Sequence, residues 1–262
     1  MSKAARNRAR RAQAAAHRKP DSRRRTRTLY AAVAVVAAAV AGALVLASVL
    51  TARDDDSAPS AGDAGAITVA GAAESRALLA EIPQQGIALG RRNAPVTLVE
   101  FADLQCPFCA EWSRNALPEL VRDYVRPGRV RIVFRGLTFI GPDSEEALRF
   151  ALAAGGQGKL WNVVDLLYEN QGGENEGWVT DDLLTAVGRA VPGLDVERAF
   201  AEQSGTRVGA ELEAAEAAAT ENGIRGTPSF AVGRTGGTLR VVELDSLDAQ
   251  ALRPDLDALL AG

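Results

Sequence analysis

The sequence predicts an α/β domain that carries a helical insertion and follows an N-terminal apolar segment. Three observations predict this fold class. A nearly continuous apolar run follows Pro95, as expected of a strand buried on both faces. Apolar side chains then recur at helical spacing, which places the insertion at about residues 143–222. Strand character returns only near the C-terminus, before one last helix.

Side-chain spacing and turn residues give the individual elements. A helix is expected to begin near Cys106, with Pro118 kinking or restarting it. In the insertion, Asp195 is placed to cap a short helix, and Gly223 is placed to end a longer one. The predicted strands cover residues 96–101, 130–134, 229–232 and 239–244, and the predicted helices cover 72–80, 160–167, 183–187, 206–222 and 246–260.

Charge is distributed very unevenly along the chain. Residues 1–28 contain eleven Lys/Arg and one acidic residue, although the whole chain has a formal net charge of −3. An uncharged apolar run, from Leu29 to Leu50, follows and is long enough as a helix to cross the roughly 30 Å hydrocarbon core of a bilayer. Positive charge beside such a run marks the cytoplasmic side. We therefore expect a single-pass protein of the cell membrane.

This interpretation divides the chain into four parts. Residues 1–28 form a basic cytoplasmic tail, 29–50 a transmembrane helix, 51–82 an extracytoplasmic linker, and 83–262 the α/β domain, outside the cytoplasm. A cleaved signal peptide is the main alternative for residues 29–50, although the tail before them is unusually long. Nucleic-acid binding by the tail is disfavoured, because no aromatic residue lies among its bases before Tyr30.

The only two cysteines, Cys106 and Cys109, enclose Pro107 and Phe108. A disulfide that closes so short a loop stabilises a chain little, so redox or metal chemistry is the better explanation. Zinc would need two further ligands, and the only histidine, His17, lies in the basic tail, so we predict no metal site. The same lack of a histidine base excludes a cysteine hydrolase. An inert buried pair stays open as an alternative.

The position of the pair favours redox chemistry. At a helix N-terminus, the sulfur of Cys106 meets unpaired backbone N–H groups, which favour the reactive thiolate. Cys109, one turn later, is then the shielded resolving thiol. Pro107 suits the first helical turn, where its missing N–H has no cost.

Two further residues are candidates for the site. Glu100 lies in the apolar run, where burial would raise its pKa and fit it to exchange a proton with Cys109; the alternative is a side chain at an exposed strand edge. Pro228, after Thr227, leads directly into a predicted strand. A cis bond there would turn the Thr227 backbone toward the cysteines to bind an extended substrate, and a trans turn is equally compatible with the sequence.

Three separated motifs resemble the DsbA-like proteins of the thioredoxin fold. They are residues 94–109 (APVTLVEFADLQCPFC), 157–161 (QGKLW) and 226–230 (GTPSF). The resemblance covers residues 82–262. It implies a thioredoxin-like fold with an inserted helical domain, Cys106 as nucleophile, Cys109 as resolving cysteine, Glu100 as the buried acid and a cis Pro228. It implies no cofactor.

The resemblance also implies an activity, which is thiol–disulfide exchange with exported proteins. Oxidation is favoured, with a DsbB- or VKOR-like membrane protein as the reoxidant. Phe108 replaces the histidine of the best-known oxidases, so the disulfide is expected to be less oxidising than theirs. Pro107, Phe108, Thr227 and Pro228 are the expected substrate-binding residues. A reductase or isomerase, or a non-catalytic tethered binding domain, are the alternatives.

Overall fold

The structure is a computed structural model that describes residues 67–262. The predicted basic tail and transmembrane helix lie outside the described residues, as do residues 51–66 of the predicted linker. No helix within residues 67–262 combines the length and the apolar character needed to cross a membrane.

The described chain forms six strands and nine α-helices. The strands are β1 (Gln84–Gln85), β2 (Ala88–Leu89), β3 (Val96–Ala102), β4 (Val130–Gly136), β5 (Ser229–Arg234) and β6 (Arg240–Val242). The helices are α1 (Ala72–Leu79), α2 (Pro107–Asn115), α3 (Leu117–Leu120), α4 (Pro142–Gly155), α5 (Leu160–Glu169), α6 (Asp181–Ala190), α7 (Val196–Glu202), α8 (Thr206–Glu221) and α9 (Ala249–Ala261). A single π-helical turn, Val121–Val125, extends α3.

The strands form one sheet in the order β1-β2-β4-β3-β5-β6. β3 lies in its interior, parallel to β4 and antiparallel to β5. All seven residues of β3 are buried, which explains why its sequence is almost wholly apolar. The β1–β2 hairpin was not predicted, because strands of two residues are too short to show any alternation of apolar and polar side chains.

The helical insertion lies between β4 and β5, as predicted, and consists of α4 to α8. Trp161, at the start of α5, joins the insertion to the sheet. Its ring packs edge-on against Phe134 of β4 with 5.9 Å between centroids, and its Nε1 donates to the Ile87 carbonyl at 3.2 Å. Asp195 caps α7 as predicted, since its carboxylate accepts a hydrogen bond from the backbone N–H of Arg198 at 2.9 Å.

Residues 67–82, at the end of the predicted linker, fold against the insertion. Leu79 of α1 is buried, and the Asn170 side chain bonds the backbone of Ala70, accepting from its N–H at 2.8 Å and donating to its carbonyl at 3.1 Å. The last two predicted elements are shorter than expected. β6 covers three residues, and α9 begins only after Asp248.

Candidate active site

The cysteine pair lies where β3 passes into α2, at an end of the sheet. Cys106 is the N-cap residue of α2, with extended backbone angles (φ −71°, ψ 118°), and Pro107 occupies the first helical turn. The Cys106 carbonyl accepts the N–H of Ala110 at 3.1 Å, the first hydrogen bond of the helix. Both cysteines are free thiols. Cys106 is 4% exposed and Cys109 is 0% exposed, so both are buried and only Cys106 has any exposed area.

The two thiols have opposite acidities. A hydrogen bond with Cys109 is the main cause that lowers the pKa of Cys106 to about 6, and burial opposes it. The Thr227 side chain and the backbone N–H groups of Phe108 and Cys109 lower that pKa further. Burial, followed by the hydrogen bond with Cys106, raises the pKa of Cys109 far above its ordinary value. At neutral pH Cys106 is mostly thiolate, and Cys109 keeps its proton.

The loop before β5 meets Cys106 directly. The Thr227–Pro228 peptide bond is cis, as the resemblance implies. The Thr227 carbonyl oxygen lies 3.3 Å from Cys106 Sγ and accepts a hydrogen bond from it when Cys106 is protonated. The fold therefore brings together residues that are 121 positions apart in the chain.

Glu100 is buried behind the cysteines in the interior strand β3, where it pairs with Phe134 of β4 and Phe230 of β5. The alternative of an exposed strand edge is therefore wrong. Burial raises the pKa of Glu100 to about 8, and its Oε1 has no hydrogen-bond partner among the described residues. Glu100 also contributes to the raised pKa of Cys109, after burial and Cys106, so the two groups interact through space.

Two aromatic side chains are exposed near the cysteines. Phe108, between the two cysteines, is 59% exposed, and Phe139, in the loop after β4, is 53% exposed. The Phe139 loop is tied to the cysteine turn, because the Ile140 N–H donates to the Asp103 carboxylate at 3.0 Å. Single exposed apolar side chains are common on protein surfaces, and only a contiguous apolar patch marks a binding site.

A buried polar network that the sequence did not predict holds the cysteine turn. The Asp103 carboxylate accepts the Gln105 backbone N–H at 2.8 Å and the Ser144 hydroxyl at 2.6 Å. The Gln105 side chain in turn donates to Ser144 at 2.9 Å. Asp103, a carboxylate directly after a buried strand, was the available signal. No sequence signal pointed to Ser144, because only the fold brings the start of α4 close to this turn.

No group of three or more His, Cys, Asp or Glu residues in the described part of the chain is arranged to hold a metal ion. The site consists of the Cys106 thiolate, the Cys109 thiol, a buried carboxyl group that is mostly protonated at neutral pH, and a backbone carbonyl oxygen close to the Cys106 sulfur.

Comparison with known proteins assigns this arrangement to a family. The sequence model of the family described as Thioredoxin matches residues 83–238, which is more than half of the chain. The chain is 32% identical over 162 residues to a "Probable disulfide bond formation protein D" of Bacillus cereus, a match that covers 61% of this chain and 74% of the relative. The chain belongs to the DsbA-like thiol–disulfide oxidoreductases.

Solved structures of DsbA-like proteins show the same fold. BdbD from Bacillus subtilis, in its oxidised form, superposes with a TM-score of 0.59 at 22% identity, over 69% of this chain and 98% of that one. A thioredoxin-like oxidoreductase from Silicibacter pomeroyi superposes with a TM-score of 0.52 at 27% identity, over 71% and 98% of the two chains. These likenesses confirm the predicted thioredoxin-like fold with its helical insertion.

Proposed function

We propose that this DsbA-like protein is an extracytoplasmic oxidase that donates a disulfide between Cys106 and Cys109 to exported proteins. The difference in acidity between the two thiols carries the proposal. A site that stabilises the Cys106 thiolate favours the reduced form of the pair and so makes its disulfide a better oxidant.

The reaction proceeds in two exchanges. A substrate thiolate attacks Cys106 Sγ, the Cys106–Cys109 bond breaks, and Cys109 leaves as a thiolate while a mixed disulfide forms on Cys106. A second substrate thiolate then attacks its partner sulfur in the mixed disulfide, and Cys106 leaves as a thiolate. The substrate gains a disulfide and loses two protons, and the enzyme gains two electrons.

Glu100 is the proton donor and acceptor for Cys109. Because burial raises its pKa to about 8, Glu100 is mostly protonated at neutral pH. It gives its proton to the Cys109 thiolate when the disulfide opens and takes a new one from water, and it passes the Cys109 proton back to water when the disulfide is restored. Without this transfer the Cys109 thiolate would stay charged in a buried site, which is very unfavourable.

The remaining site residues bind the substrate. The Thr227 carbonyl, already 3.3 Å from Cys106 Sγ, is positioned to accept a hydrogen bond from an extended substrate chain, while Pro228 sets its direction. Pro107 and the exposed Phe108 provide an apolar surface beside the reacting sulfur. The substrate class that fits is an unfolded chain with apolar residues around a cysteine.

The proposal includes a location and a partner. Residues 29–50 anchor the chain in the cell membrane, with residues 1–28 in the cytoplasm and residues 83–262 outside. Exported proteins supply the thiols, and a DsbB- or VKOR-like membrane protein takes up the electrons. The anchor places the domain close to such a reoxidant.

Refolding of a reduced, unfolded protein tests the activity. The oxidised enzyme should form disulfides in it, and the Cys106→Ser variant should not. With glutathione disulfide supplied as the oxidant, the Cys109→Ser variant should accumulate a mixed disulfide on Cys106, because it has no second thiol to resolve it. Full activity of Cys106→Ser contradicts the proposal. Alkylation trapping in cells tests the direction, because an oxidase is found mostly as the disulfide, and a reductase or isomerase mostly as the dithiol.

A further inference from the structure

The insertion reaches the cysteine turn through the segment that joins α5 to α6. Gln171 lies two residues after the end of α5. Its Nε2 donates two hydrogen bonds, one to the Leu104 carbonyl at 2.8 Å and one to the Cys106 carbonyl at 3.2 Å. One side chain of the insertion therefore holds the backbone on both sides of Gln105.

A second contact binds the same segment to the same turn. The backbone N–H of Asn175 donates to the Gln105 side-chain oxygen at 2.6 Å, and the Gln105 side-chain nitrogen lies 3.3 Å from the Asn175 side-chain oxygen. Gln105 is 1% exposed, so these bonds are shielded from water. The segment cannot move away from the turn without leaving buried polar groups unpaired.

The Cys106 carbonyl oxygen accepts hydrogen bonds both from Gln171 and from the first turn of α2. It belongs to the N-cap residue and accepts the first hydrogen bond of α2, from Ala110. The orientation of this residue sets the direction of its Cα–Cβ bond, and so the place of the sulfur. The sulfur must lie close to the N–H groups of Phe108 and Cys109 for them to stabilise its charge.

We propose that Gln171 is a positioning residue of the redox site, through which the helical insertion holds Cys106 in the orientation that keeps its sulfur against the first turn of α2. Gln171 acts only through the backbone of Cys106. This inference rests on the proposed function, because it concerns the reactivity of that sulfur.

The test compares two substitutions at 171 with one matched control, all in the full chain. Gln171→Met removes both donors at similar side-chain length, and Gln171→Glu replaces the amide by a carboxyl group. Gln157→Met is the control, because Gln157 also makes two hydrogen bonds within the insertion, both of 2.9 Å, but to the backbone of Asp195. Circular dichroism and thermal melting check that each variant is folded.

The readouts are the pH dependence of iodoacetamide alkylation of Cys106 and the equilibrium of the disulfide with glutathione. Because only the thiolate reacts, a rise of one unit in the midpoint lowers the rate at acidic pH by about tenfold. We expect a change of about that size in both variants at 171, and a shift of the glutathione equilibrium toward the enzyme disulfide. Gln157→Met should lower only the melting temperature.

Several outcomes overturn the inference. A folded variant at 171 that keeps the wild-type midpoint shows that Gln171 does not position the sulfur. Loss of folding in both variants, with Gln157→Met still folded, shows that its role is structural. Failure of the proposed function is recognised separately, because the wild-type Cys106 would then titrate like a free cysteine before any substitution at 171.

Discussion

Cys106 and Cys109 are one helical turn apart, yet their surroundings differ in the two respects that matter for disulfide exchange. Cys106 has a small exposed area and a pKa lowered to about 6, chiefly by its hydrogen bond with Cys109. Cys109 is completely buried and stays protonated. The order of events in the proposed reaction follows from this difference, since a substrate can attack only the accessible sulfur, and that sulfur is also the better leaving group.

The first prediction concerns the acidity of Cys106. Alkylation of the reduced protein should follow a single titration with a midpoint of about 6, whereas free cysteine titrates near 8.5. Mass spectrometry of the labelled peptide should find the label on Cys106 only. In Cys109→Ser the midpoint should stay low if the serine hydroxyl replaces the thiol as donor, and it should rise in Cys109→Ala, which has no donor. A midpoint above 8 in the wild type contradicts the prediction.

The second prediction concerns Glu100→Gln. Because the pKa of Glu100 is raised in the folded state, its contribution to stability is complete below the ordinary value of 4.5 and is lost as the pH rises toward 8. The variant avoids this loss, so its free energy of unfolding should exceed that of the wild type by up to roughly 3 kcal/mol at pH 7 and by little at pH 4. Urea unfolding at the two pH values measures it.

The same variant should be a poorer enzyme. Without the buried acid, the Cys109 thiolate has no proton donor, and we expect opening of the disulfide by a substrate thiol to slow by at least about tenfold. Asp165→Asn is the control, because Asp165 is another buried carboxyl group whose pKa burial raises, to about 6. Asp165→Asn should be more stable than the wild type at neutral pH, by less than Glu100→Gln, and its disulfide should open at the wild-type rate. Equal rates for Glu100→Gln and the wild type would exclude Glu100 from proton transfer.

At the scale of elements, the sequence predicted those strands, helix starts and caps that depend on a few neighbouring residues. The apolar run of β3, the helix start at Cys106 and the Asp195 cap are each coded within a few residues and are confirmed. The β1–β2 hairpin and the contacts of Gln171 with the cysteine turn were missed, because short strands and long-range polar bonds leave no periodic signal. Resemblance, rather than spacing, supplied the cis geometry before Pro228.

The third prediction concerns the loop that joins β4 to α4. A Cβ atom on Gly141 would lie 2.0 Å from the Asn175 side-chain oxygen, closer than any real contact allows. Gly141→Ala must therefore displace Asn175, whose amide otherwise donates to the Ile140 carbonyl at 3.0 Å. We expect a loss of about 0.5–1.5 kcal/mol in the free energy of unfolding, from the hydrogen bonds that the displaced Asn175 amide gives up.

A glycine in open space provides the control for that change. Gly209 lies within α8, and a Cβ atom there would meet nothing within 4 Å. Gly209→Ala should stabilise the protein by roughly 0.5–1 kcal/mol, since alanine is the better helix former. Chemical denaturation measures both variants. If Gly141→Ala were as stable as the wild type, the close packing of this loop on Asn175 would be wrong.

At the scale of the whole molecule, the fold couples its stability to the redox state of the cysteines. The folded, reduced protein lowers the pKa of Cys106 to about 6, below its value in an unfolded chain. A lowered pKa contributes stability that is complete above the unfolded pKa and is lost as the pH falls through the folded one. The oxidised protein has no thiolate and cannot show this dependence.

The fourth prediction follows from this linkage. Between pH 8 and pH 5, the reduced protein should lose roughly 1 kcal/mol or more of stability relative to the oxidised protein, after allowance for solvent screening at the partly accessible sulfur. Urea unfolding of both redox forms across this range measures the difference. Reduced Cys106→Ser should lack the dependence. A constant difference between the two forms contradicts the prediction.

The two edge strands of the sheet limit how the proposed substrate, an unfolded chain, can bind. β1 has two residues and β6 has three, one of them the charged Arg240. Margins so short and partly charged offer an incoming polypeptide few free backbone groups to pair with. In the proposed reaction, a substrate bound at Cys106 therefore finds no long strand edge that would let it extend the sheet, and it leaves when the exchange is complete.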